Sequence, residues 1–136
     1  MTDNAKTKVL VVEDDQEMLD AIKVYLETEG YNVLTATSQK EAEALLKPSA
    51  FDAAIVGLML ENRDSGFVLS YKIKKMNKAL PVIIITSATK ETGFNFDKAS
   101  DPKSWIKADV IIHKELRLEQ LKTELERLLG EVAAHA

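Results

Sequence analysis

The sequence predicts a doubly wound α/β fold, and three observations predict it. Four short apolar runs, Val9 to Val12, Ala53 to Val56, Val82 to Ile85 and Val110 to Ile112, are each flanked by polar or turn residues. Three of them are rich in β-branched side chains, the habit of parallel strands buried on both faces. Helical patterns lie between them, so strand and helix alternate along the chain.

The first strand is Val9 to Val12. Met18, Leu19, Ile22 and Leu26 then recur at helical spacing, and Gly30 stands where that helix would stop. Tyr31 to Ala36 reads as a weaker strand. Ser38 and Glu41 have capping-box spacing and open a second helix, which Pro48 closes. The run Ala53 to Val56 follows, then a helix from Phe67 to Met76, then Pro81 and the run Val82 to Ile85. After Val110 to Ile112, the stripe Leu118, Leu121, Leu125, Leu128 and Val132 marks the last helix. Its steps of three and four also suit a short coiled-coil seam, but packing on the sheet is the expectation.

The segment from Ala88 to Asp109 is less regular and holds Phe94, Phe96 and Trp105. Two readings stand: aromatics sealing the sheet beside a remodelled helix, or a partner-docking surface. No internal repeat or linker divides the 136 residues, which are read as one domain.

Composition narrows the function classes. The chain is 46% hydrophobic and 29% charged, as in a water-soluble globular protein, and it has no apolar run of membrane-spanning length. It contains no cysteine, which excludes disulfides and thiolate chemistry and fits a reducing cytoplasm. A net charge of −4 argues against a broad nucleic-acid footprint and for a protein partner. His113 and His135 have no metal-ligand spacing.

Ligands of open α/β sheets bind beyond the carboxyl ends of the strands. Those ends carry Glu13-Asp14-Asp15, Gly57, Thr86-Ser87 and His113-Lys114. An acidic cluster, a hydroxyl and an ammonium group would converge around a glycine. Each has a plainer reading alone. Asp14 with Glu17 has the spacing of a helix N-cap, Thr86 suits a strand end, Lys114 suits a solvated surface, and Gly57 suits close packing.

Taken together, VLVVEDD, FDAAIVGLML followed by SGF, PVIIITSAT and the lysine after the fifth strand resemble the receiver domain of response regulators, the CheY-like family. The resemblance covers the chain roughly from Lys8 to Leu129. It implies a flavodoxin-like five-stranded parallel sheet in the order 2-1-3-4-5, with helices on both faces. It also places Gly57 where the family carries the aspartate that accepts a phosphoryl group from a histidine kinase. Glu13 and Asp14 match the acidic pair that helps hold magnesium, and Met59 matches the backbone carbonyl donor. Thr86 and Lys114 match the hydroxyl and ammonium groups that meet the phosphoryl group.

Several positions depart from the family pattern. Glu61 stands where a proline is common, Ile111 where an aromatic switch residue is usual, and Glu115 where a proline follows the lysine. Glycine supplies no oxygen nucleophile for phosphoryl transfer. The resemblance therefore implies a stand-alone, non-enzymatic pseudo-receiver acting as a phosphorylation-independent interaction module. Its partner is a histidine kinase or another receiver or effector. A homodimer through the fourth helix, fifth strand and last helix is a further partner expectation. No cofactor is expected to bind tightly, and magnesium binds only weakly through Asp14 and Met59. The alternative is an active phosphoacceptor that uses Glu61, Asp64 or Asp15, or a protein carrying an introduced glycine at 57. A nucleotide-binding role lacks support, because no glycine-rich phosphate loop follows any strand.

Overall fold

The computed structural model describes residues 7–47, 50–86, 108–113 and 117–134. Lys114, Pro48 and the aromatic residues Phe94, Phe96 and Trp105 lie outside the described residues, so the expectations placed on them are not addressed by it. The described elements are β1 (Lys8–Val12), α1 (Gln16–Thr28), β2 (Asn32–Ala36), α2 (Gln39–Glu43), β3 (Ala53–Gly57), α3 (Ser65–Met76), β4 (Val82–Thr86), β5 (Val110–His113) and α4 (Leu118–Ala134).

The strands form one sheet in the order β2-β1-β3-β4-β5, and every neighbouring pair is parallel. Side chains alternate across it. Val9 and Val11, with Ala53, Ile55, Ile83 and Ile85, join a core shared with α1 and α4. Leu10 and Val12, with Ala54, Val56, Val82 and Ile84, face α2 and α3. β3 and β4 are buried along their whole length, which is why their sequences are continuous apolar runs. β2 is an edge strand with exposed positions at Asn32 and Leu34, which explains its weaker signal.

Local chemistry fixes the helix ends. Gly30 adopts φ 97°, and its N–H donates to the Glu27 carbonyl while Tyr31 N–H donates to that of Leu26. That is a Schellman stop, closed by Tyr31 packing beside Leu26 in the same core cluster. The start of α1 corrects one expectation. Asp15, not Asp14, is the N-cap, and its Oδ1 accepts from Glu17 N at 3.0 Å and Met18 N at 3.4 Å. Asp14 and Asp15 are adjacent acids, and only the one directly before the first helical residue is placed to turn its oxygen back to the helix.

α2 opens as expected, with Ser38 Oγ accepting from Glu41 N at 3.0 Å. Its regular part ends at Glu43, well before Pro48. α3 begins at Ser65, two residues earlier than expected. Gly66 permits this. A Cβ there would lie 2.6 Å from both the Gly57 carbonyl oxygen and the Leu58 Cα, so only glycine lets α3 start so close to β3. Gly66 N–H donates to the Leu58 carbonyl across that contact at 2.7 Å. On α4, Leu121, Leu125 and Leu128 are buried in the core, so its stripe serves the sheet.

Candidate functional site

The strand register brings the expected residues to one edge. Val12 is opposite Val56, so Glu13 lies beside Gly57 where β1 and β3 end. Gly57 is opposite Ile85, which places Thr86 one step further along the neighbouring strand, opposite His113. Glu13 and Thr86 are both buried, at 1% and 2% exposure, whereas Asp14 and Met59 face solvent.

Glu13 is the informative residue. Its Oε2 accepts from Asp15 N at 2.9 Å, which turns the carboxylate inward over the end of the sheet. Its Oε1 then lies 2.9 Å from the point where a Cβ on Gly57 would stand, with Leu60 Cδ2 at 3.3 Å from that point. The space over Gly57 is therefore lined by an acidic side chain and a leucine methyl group. A side chain at position 57 would have to displace one of them. The missing side chain and the inward carboxylate are two halves of one packing arrangement.

A second carboxylate ties the neighbouring loops together. Glu61, four residues beyond Gly57, accepts from Gln39 N at 2.6 Å and from Lys40 N at 2.9 Å. The β3–α3 loop is thereby fastened to the start of α2. Slight desolvation pulls the exposed Glu61 carboxyl upward, but the Lys40 and Gln39 backbone N–H groups outweigh it and hold the group below the ordinary glutamate range. Beside it, the Lys72 ammonium and the Gln39 side chain hold Glu43 low as well.

The three carboxylates that could replace an acceptor are thus differently placed. Both oxygens of Glu61 are engaged at α2, and Oδ1 of Asp15 is engaged at α1. Asp64 stands at the N-cap position of α3 without a side-chain capping bond and is exposed. Ile111 is half-buried on β5 and packs against the cluster that α2 and α3 cover.

Magnesium would need several oxygen ligands in near-octahedral array. Among the described residues, no three carboxylate or imidazole side chains converge to hold a metal ion. No helix among the described residues is long and apolar enough to cross a membrane.

Sequence reasoning gathered Glu13, Gly57 and Thr86 at one edge, as found. It did not anticipate that Glu13 fills the space over Gly57, or that Glu61 clasps α2. The departure at Glu61 was itself the available signal, since a carboxylate four residues after a strand end can reach a neighbouring helix N-terminus.

The family model for the response regulator receiver domain matches residues 9–126. Response regulator SaeR of Staphylococcus epidermidis is 38% identical over 85 residues, which is 62% of this chain and 36% of that protein. SaeR of Staphylococcus aureus is 34% identical over the same proportions, so the match spans only 36% of the length of these relatives. Among solved structures, the non-phosphorylated HemR receiver domain of Leptospira biflexa is 32% identical with a TM-score of 0.72, covering 91% of this chain and 94% of that one. A CheY-like receiver domain protein from Methanospirillum hungatei gives a TM-score of 0.79 at 24% identity, covering 96% and 98%, a likeness of fold alone.

Proposed function

The chain belongs to the response regulator receiver domain family of two-component signalling, and we propose that it is a receiver without a phosphoacceptor, working through protein contacts in one fixed state. Receiver domains act with histidine kinases and effector domains, and either class supplies the partner in this reading. Gly57 ends a central strand at the sheet edge where this fold places its chemistry. Phosphoryl transfer to protein needs an in-line oxygen nucleophile, and glycine has none.

The observation that carries the proposal is the position of Glu13 Oε1, 2.9 Å from where a residue 57 side chain would begin. A receiver poised for phosphorylation needs that volume for its own carboxylate and the incoming group. Here the volume is given to the side chain of a buried neighbouring acid. In the same reading, Asp14 and the Met59 carbonyl remain as weak magnesium donors. Thr86, at the end of β4, has no phosphoryl group to meet.

The test is exposure of the purified protein to acetyl phosphate with magnesium, followed by intact-mass spectrometry. The expected result is no phosphoryl adduct, and binding to a partner kinase or receiver that acetyl phosphate leaves unchanged. An adduct mapped to Asp64, Glu61 or Asp15 would overturn the reading and establish the active alternative.

A further inference from the structure

At the opposite edge of the sheet, we propose that the C-terminal half of α3 and the end of α4 form a docking groove for an acidic, amphipathic peptide segment of a partner protein. Two adjoining cavities make up the groove. One, of about 380 Å³, is lined by Tyr71, Lys74, Lys75 and Lys78. The other, of about 450 Å³, shares Lys74 and Lys78 with it and continues over Ala79, Pro81, Leu128 and Val132. Lysines thus wall a groove whose floor is aliphatic.

Charge singles this surface out. The chain carries a net charge of −4, yet Tyr71 to Leu80, YKIKKMNKAL, contains four lysines and no acid. Lys72 is offset by Glu43 at 2.7 Å and Lys74 by Asp109 at 2.7 Å. Asp109 and Glu131 line the second cavity, and Glu131 is in turn offset by Arg127 at 2.9 Å. Lys75 and Lys78 have no ion pair among the described residues. Lysines in a last helical turn complement the helix dipole, which accounts for Lys75 being tolerated. It does not account for Lys78, beyond the helix, or for Tyr71 standing 42% exposed beside them.

The chemistry of the groove selects its occupant. Two ammonium groups with no ion pair among the described residues attract carboxylates, the aliphatic floor takes leucine-like side chains, and an exposed tyrosine is a common interface anchor. Single-stranded nucleic acid would want aromatic stacking platforms and a basic field. One tyrosine on a molecule of net negative charge supplies neither. The groove also lies far from Gly57 along the strands, since Pro81 and Asp109 precede β4 and β5. It therefore stands or falls apart from the acceptor question.

The test is amide chemical-shift mapping on the isotopically labelled full chain. Three probes are added: a short synthetic peptide alternating leucines with Asp and Glu, its Asn and Gln counterpart, and an oligouridine. The acidic peptide is expected to shift amides of residues 71–81 and 128–132, and added salt should weaken it. Joint Lys75→Glu and Lys78→Glu substitution should weaken it about tenfold, while the joint arginine variant retains it. Four results would overturn the proposal: no shifts in this region, shifts confined to other surfaces, equal binding of the neutral peptide, or stronger occupation by oligouridine.

Discussion

Replacing Gly57 by aspartate places a carboxylate where Glu13 already points. The new Cβ would meet Glu13 Oε1 at 2.9 Å and Leu60 Cδ2 at 3.3 Å, so the Glu13 side chain must retreat. Two like charges about 4 Å apart repel by about 4 kcal/mol at an effective dielectric of 20. Rotation of Glu13 toward water removes much of that repulsion, but it breaks the bond to Asp15 N, worth about 1 kcal/mol. Loss of glycine's freedom in the unfolded chain offsets about 0.5–1 kcal/mol. The net expectation is about 1–3 kcal/mol of destabilisation without metal. Unfolding entropy of about 2.1 cal/mol/K per residue, over 136 residues, turns each kcal/mol into about 3.5 °C. Thermal melts of Gly57→Asp in EDTA should therefore fall by about 4–10 °C. Magnesium should recover part of the loss, because a cation offsets the paired carboxylates. Adding Glu13→Gln should recover the electrostatic part of it without metal, and Gly57→Ala, which brings the same Cβ without a charge, should lose only the displacement cost of about 1 kcal/mol. Equal midpoints for wild type and Gly57→Asp in EDTA would refute the reasoning, as would a loss that Glu13→Gln leaves untouched.

Two further substitutions probe the same edge. Gly66→Ala drives a Cβ to 2.6 Å from backbone atoms of Gly57 and Leu58, which cannot swing aside, so denaturant unfolding should show a loss of about 2–3 kcal/mol. Glu61→Gln keeps the shape but removes the charge at the start of α2, and after solvent screening should cost about 0.5–1 kcal/mol at neutral pH. Because the folded Glu61 pKa is depressed, that contribution is complete above the unfolded value of about 4.3 and fades as pH falls through the folded one. Urea midpoints of wild type and variant should thus converge in acid; a gap that widens below pH 4 would contradict the clasp.

Much of the fold was legible because parallel strands buried on both faces must be apolar throughout. β3 and β4 could hardly read otherwise, and Gly30 marks its helix stop through a backbone conformation that few other residues adopt. What sequence could not supply was contact at a distance. Choosing between Asp14 and Asp15 as the cap turns on one residue's backbone angles, and both acids have serviceable spacing. Glu61 reaches Gln39 and Lys40 across 22 and 21 residues of chain, and no local pattern encodes that meeting. Glu13 could be placed near Gly57 from strand ends alone, but its inward turn depends on the bond to Asp15 N.

These carboxylates bear on how such a receiver could signal. A ligand moves a two-state protein only by its differential affinity for the two states. In the proposed reading no phosphoryl group arrives, so that bias is absent from the start. The loops at the sheet edge are instead joined by the chain's own acids, with Glu13 holding the β1–α1 turn and Glu61 holding β3–α3 to α2. Ile111, half-buried against the α2 and α3 face, brings no aromatic ring to exchange between core and solvent. Each feature removes a way of switching rather than a way of binding. Information would then pass through which partner is present and at what concentration, with the receiver surface itself held constant.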